Sequence, residues 1–235
     1  MQVTLNHSTP LHICSDSIRQ CWQSQGKSDS KTITHGSNGY VEERTICGPA
    51  DKDLIDRIGN KFKHASTLEH LTYNFTIEGI SRACLQELSR HRMASPSVKS
   101  TRYTLKELKD EAKFTYMYVD SDGDPVISST DGAFERARKY LVEVDGNIDI
   151  SSLFALDRIA KKLRNGESSD KVKYLLPESY KTSLAWTINA RSLQNFLSLR
   201  TSKSALWEIR DLANNIFQAL PEDHQYLFKD SLCDS

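Results

Sequence analysis

Two stretches of this 235-residue chain carry strand periodicity, and each runs directly into helical spacing. Over residues 71–77, Tyr73, Phe75 and Ile77 alternate with Thr72, Asn74 and Thr76, which predicts a strand. After Gly79 the pattern turns helical through Ala83, Leu85 and Leu88 into Arg90. The second strand is read at residues 183–188, and residues 189–200 again follow as helix. Helical spacing dominates elsewhere, so the chain is expected to be a helix-rich α+β protein, a compact mixed α/β domain with a small central sheet.

Residues 15–25 place Ile18, Cys21 and Trp22 at helical spacing behind a Ser-Asp-Ser start, predicting a capped short helix. Residues 51–64 put Leu54, Ile55, Ile58 and Phe62 on one face. Further helices are expected over residues 133–144, 150–163, 169–176 and 204–220, with Pro96 stopping the helix that carries Arg90 and Pro177 ending the fourth of these. Residues 26–39 and 120–132 are polar and glycine-punctuated and read as loops. Without a repeat, a low-complexity tract or a linker, residues 1–235 are expected to form a single domain.

With 31 basic against 31 acidic residues, the chain lacks the excess of a general nucleic-acid binder, so any basic site must be local. No apolar run is long enough to span a bilayer, and the first residues lack a charged segment followed by an apolar one; a soluble, cytoplasmic protein without membrane association is expected. Cys14, Cys21, Cys47, Cys84 and Cys233 form no CxxC pair and read as reduced thiols, with no metal site implied.

A local basic site exists. Arg90-His91-Arg92 is followed by Ser97, Ser100, Thr101 and Arg102, which together suit an anion or a polarised ring carbonyl. By composition alone this could equally be a solvated charge run or a phosphate-binding patch on a non-catalytic nucleotide- or RNA-binding protein, with Tyr103 or Phe196 stacking on bases. A second constellation lies on the 189–200 helix. Arg191 and Asn195, four apart, share a face on which an amide and a guanidinium can address a flat heterocycle, while Leu193, Leu197 and Leu199 are expected elsewhere. No GxxxxGKS loop or GxGxxG fingerprint is present.

Arg90-His91-Arg92, seven residues and then Ser100 resembles the signature of the flavin-dependent thymidylate synthases, the ThyX family. Asn189-Ala190-Arg191-Ser192-Leu193-x-Asn195-Phe196-Leu197-x-Leu199-Arg200 is similar to that family's second block, and His64-x-Ser66-x-x-Glu69-His70 to a third. The resemblance implies a ThyX-type fold and a homotetramer with active sites at subunit interfaces. It implies methylation of dUMP to dTMP, with methylenetetrahydrofolate as one-carbon donor and NADPH as reductant through FAD, and no enzyme nucleophile. The hard redox chemistry would be the cofactor's.

Carried onto this chain, the resemblance implies that Ser66, Glu69, Arg90, His91, Arg92, Val98, Asn189, Ala190, Arg191 and Asn195 hold FAD. It assigns Glu87, Leu88, Ser89, Arg90, Ser100, Thr101, Arg102, Lys173 and Arg200 to dUMP. Arg200 matches the arginine that polarises the uracil ring, where a guanidinium would stabilise developing negative charge, and His64 matches a histidine linked to folate and methyl transfer. Ser100 has Lys99 and Arg102 as neighbours rather than a base, so phosphate binding is the expected role. The chain departs from the family pattern at Ser97-Val98-Lys99 and at Lys173, where relatives often carry an arginine.

Overall fold

The computed structural model describes residues 1–37 and 40–233, so positions 38 and 39 of the predicted 26–39 loop lie outside the described residues. Strand β1 (Gln2–Ser8) leads into α1 (Leu11–Cys21), the strands β2 (Lys31–Ser37) and β3 (Tyr40–Ile46), and α2 (Pro49–Ile55). There follow β4 (Thr72–Ser81), α3 (Arg82–Ser89), β5 (Ala94–Val98), α4 (Thr101–Thr104), β6 (Thr115–Val119) and β7 (Pro125–Ser129). Helices α5 (Ala133–Ala137), α6 (Ile150–Arg164) and α7 (Ser169–Val172), strand β8 (Lys181–Asn189), and helices α8 (Ala190–Arg200) and α9 (Trp207–Ala219) come last. The α+β architecture is as expected: a four-stranded sheet ordered β1-β4-β8-β5, with two-stranded ribbons β2-β3 and β6-β7. The two strand-patterned stretches are its inner strands, β4 and β8.

Several boundaries differ from expectation for identifiable reasons. Helix α1 starts at Leu11, behind Pro10 with its φ of −59°, and the hydroxyls of Ser15 and Ser17 bond back to the carbonyls of His12 and Ile13 instead of capping. Helix α2 widens over Asp56–Lys61 into a turn with i→i+5 bonding, closed by Phe62 N–H to the Arg57 carbonyl at 2.8 Å. That extra residue rotates Phe62 off the apolar face, leaving it 60% exposed while Leu54, Ile55 and Ile58 are buried. Within this turn Gly59 lies so close to Leu68 that an added Cβ would meet Leu68 Cδ2 at 2.7 Å.

The predicted 26–39 loop contains β2, and the 120–132 loop is a hairpin turn followed by β7. The Asp120 carboxylate accepts from the Asp122 and Asp124 N–H groups and tightens this turn. Pro96 does not stop a helix: α3 has already ended at Ser89, and Pro96 lies in β5, an edge strand where a missing N–H is tolerated. The 133–144 helix ends at Ala137, and the last long helix begins at Trp207 rather than residue 204.

The chain forms two compact units, neither of them a continuous stretch. One comprises Met1, Glu78–Ser89 and Ser97–Leu184. Its core gathers Leu153, Leu156, Ile159 and Leu163 of α6 with Leu105, Leu108, Phe114 and Tyr140. Asp157 on α6 accepts from the N–H groups of Phe114 and Thr115 at 3.0 and 2.7 Å, fixing the start of β6. The other unit comprises Gln2–Ile77, Arg90–Pro96 and Ala185–Ser235. Through its core runs a relay of rings: Phe228 on Tyr73 at 5.7 Å, Tyr73 on Phe75 at 6.4 Å, Phe75 on Trp186 at 6.4 Å and Trp186 on Phe196 at 5.2 Å. These buried side chains each contribute about 1.5–3 kcal/mol, and together they hold β4, β8 and α8 in register.

Candidate active site

The ring relay ends on a histidine. In the unit that holds Arg90–Pro96, the His91 ring packs edge-on against Phe196 at 4.9 Å. Arg200 Nε donates to His91 Nε2 at 2.9 Å, which fixes the imidazole as the Nδ1–H tautomer. Helix α8 is set by its start: the Asn189 Oδ1 accepts from the Ser192 N–H at 2.8 Å, and the Ala190 N–H bonds to the Leu71 carbonyl at 2.8 Å. Ala190, Leu193, Phe196 and Leu197 are buried, which turns Arg191 and Asn195 outward on the opposite face.

That face lines a cleft of about 860 Å³ together with Glu69, Arg90, His91, Arg92, Asn189 and Arg200. Arg191 and Glu69 are paired at 2.7 Å, so one carboxylate already orients one guanidinium there. Leu199, expected elsewhere, also lines the cleft and is 56% exposed, and the exposed Met93 joins it. Most of the residues assigned to FAD thus fall in one place. Ala190 is fully buried and does not line the cleft. Ser66 and His64 are exposed on and just before the turn Ala65–His70 that carries Glu69, and do not line the cleft.

The unit that holds Ser97–Leu184 has its own cleft, of about 340 Å³, lined by Val98, Lys99, Ser100, Thr101, Arg102 and Lys173 with Arg82, Leu85, Tyr180 and Thr182. Val98, assigned to FAD, thus lines a cleft shared with residues assigned to dUMP. The segment is anchored by the Lys99 N–H on the Ser183 carbonyl at 2.8 Å, and Arg102 Nε pairs with Asp170 at 3.1 Å. None of the described residues lining this cleft is a histidine or carboxylate able to act as a base on Ser100. Glu87, Leu88 and Ser89 sit on α3 and line neither cleft; Leu88 is buried, and the Ser89 hydroxyl bonds to the Gln86 carbonyl. Arg82 and Met93 were not singled out by sequence, and Lys99 and Leu199 were named there without a binding role. A basic residue opening an otherwise apolar helical run was the one signal that Arg82 offered.

Four guanidiniums and two carboxamides around an open cleft suit a large ligand that is both anionic and flat, while the smaller cleft suits a compact anion. The fold and these clefts define an α+β protein with basic, anion-suited sites. The family model described as thymidylate synthase complementing protein matches residues 4–224. A flavin-dependent thymidylate synthase of Campylobacter jejuni (strain RM1221) is 54% identical over 234 residues, covering 99% of this chain and 98% of that protein. The Helicobacter pylori (strain 26695) protein of the same description is 48% identical over 234 residues, with 99% of each covered. A crystal structure of Helicobacter pylori ThyX with FAD and dUMP superposes with a TM-score of 0.80 at 48% identity, covering 100% of both chains. The chain belongs to the flavin-dependent thymidylate synthase family.

Proposed function

We propose that this chain is an enzyme that methylates dUMP to dTMP in the cytoplasm with FAD as cofactor, methylenetetrahydrofolate giving the one-carbon unit and NADPH the reducing equivalents. The observation that carries the reading is the cleft in which Arg200 is tied to His91 beside Arg90, Arg92, Arg191 and Asn195. Its donor set fits FAD: guanidiniums for a diphosphate, and the carboxamides of Asn189 and Asn195 for a ring system that both donates and accepts. Bound there, FAD supplies the redox chemistry, relaying electrons from NADPH toward the one-carbon unit.

The chain's own residues bind, orient and polarise. Glu69 fixes Arg191 at the cofactor, and Asn189 holds the start of α8 so that Arg191 and Asn195 face the same ligand. Arg200, held at Nε by His91, places its guanidinium in the cleft, where it would polarise a pyrimidine carbonyl and stabilise the negative charge that develops during attack. Ser100, Thr101, Arg102 and Lys173 hold the phosphate of dUMP, and His64 serves the folate. Glu87, Leu88 and Ser89 would act on dUMP through backbone or short-range contacts at the end of α3. The assembly is proposed to be a homotetramer with active sites at subunit interfaces. The exposed Met93 and Leu199 at the rim of the cleft support that reading, because apolar side chains so placed favour being covered.

The test is direct. The purified protein should be yellow or become so with FAD, its flavin spectrum should respond to dUMP, and dTMP should form only with dUMP, methylenetetrahydrofolate, FAD and NADPH together. A colourless protein that ignores FAD and dUMP yet shifts with RNA overturns the proposal.

A further inference from the structure

Arg82 opens α3 with its backbone N–H on the Tyr180 carbonyl at 3.1 Å, and its side chain lines the smaller cleft. Its Nε is buried and makes no hydrogen bond, and no carboxylate among the described residues pairs with its guanidinium. The residue as a whole is half-buried, and a guanidinium cannot shed its proton, so a dry Nε–H without an acceptor carries a cost that a ligand in the cleft would relieve. The neighbouring cations differ from it. Lys99 and Lys173 are point charges on flexible stems, and Arg102 is already engaged by Asp170 at 3.1 Å. Arg82 is the one planar fork in this cleft that is unpaired among the described residues, and its partial burial has already restricted its rotamers.

We propose that Arg82 is a substrate-binding residue that donates directly to the phosphate monoester of the nucleotide and sets the preference for nucleotide over nucleoside. The proposal rests on the reading that this cleft takes the dUMP phosphate. It gives the site a fork where Lys173 supplies only a point charge, with Ser100 adding a neutral donor.

The experiment uses the full-length, FAD-loaded protein and its Arg82→Gln, Arg82→Lys and Arg82→Met variants, titrated with dUMP and with deoxyuridine by the change in flavin absorbance. Arg82→Gln should weaken dUMP binding about 10- to 100-fold, Arg82→Lys less, with deoxyuridine binding unchanged and the kinetic loss falling on KM more than on kcat. Thermal unfolding in phosphate-free buffer gives a second reading. Arg82→Met should melt at or above the wild-type temperature, since a half-buried charge with an unbonded Nε is gone, while inorganic phosphate should stabilise wild type and not the variant. If wild type responds to dUMP and Arg82→Gln binds it equally well, or if dUMP and deoxyuridine weaken together, Arg82 does not hold the phosphate. A lower melting temperature for ligand-free Arg82→Met overturns it too, because that is the mark of a structural arginine. A wild type that ignores dUMP defeats the reading of the cleft itself.

Discussion

Arg200 Nε donates to His91 Nε2 across 2.9 Å, joining residues 109 positions apart in sequence. The bond ties the guanidinium to the imidazole in the cleft that both residues line. Arg200→Lys breaks this arrangement, since an ammonium cannot bond His91 and present a planar edge at once. Turnover to dTMP should fall about 100-fold, or roughly 3 kcal/mol of transition-state stabilisation, with bound flavin retained. Steady-state kinetics beside the flavin absorbance checks it; full activity would remove Arg200 from the chemistry.

Glu69 and Arg191 form an ion pair at 2.7 Å with both side chains about half exposed. Pairs of this kind contribute only about 0–1 kcal/mol to folding. Glu69→Gln should therefore leave the melting temperature nearly unchanged while weakening FAD binding about tenfold, because Arg191 loses its orientation. Differential scanning fluorimetry and FAD titration separate the two effects.

Ser100 lies among cations without a base. Ser100→Ala should keep most of the turnover at saturating dUMP and raise the KM for dUMP about 3- to 10-fold, the loss of one hydrogen bond. Abolished chemistry at saturating substrate would make the hydroxyl a nucleophile after all.

Acid should destabilise the unit that holds Tyr73 and Asp51 in two stages. Burial holds the His224 imidazole below its ordinary pKa, despite the opposing charge of Asp223, and its Nδ1 is 2.9 Å from the Tyr73 hydroxyl. The unfolded chain then binds more protons than the folded one as pH falls through about 6.5, so stability is full above that value and declines below it. At Asp51 burial works to raise the carboxyl, but hydrogen bonds from Ser28, Ser30 and Arg19 outweigh it and hold the pKa below the usual range. A further loss therefore begins as pH falls below about 4. Urea unfolding from pH 8 to 3 should show both limbs, and His224→Gln should flatten only the upper one.

What the sequence made legible follows from range. The spacing of Arg191 and Asn195 on α8 is local, and the strand-to-helix passages at β4 and β8 show in their own periodicity, so both were readable. The contact of His91 with Arg200 depends on the packing of Phe196 and Trp186, which no local pattern encodes. Strand β6 went unread because a strand exposed on both faces has no buried side to imprint alternation; Tyr116, Met117, Tyr118 and Val119 are all exposed. Phe62 misled because one wide turn shifts the helical phase, and Arg82 went unread because a cleft-lining and a solvated arginine look alike in sequence.

The interleaving of the two units has a consequence for biosynthesis. The segment carrying Glu69 and Arg90–Arg92 leaves the ribosome long before Asn189–Arg200 has been made, and both belong to the same unit. At roughly 5–20 residues per second, the nascent chain waits on the order of 5–20 s with the first half of its cleft unsupported and the edge of β4 uncovered by β8. Neither unit can be released by a single cut, and a stop codon anywhere before Ala185 yields a chain with no finished cleft of the larger kind. Quality control of this protein should therefore recognise the half-made β4 edge, and slow codons ahead of β8 should raise its demand for chaperones.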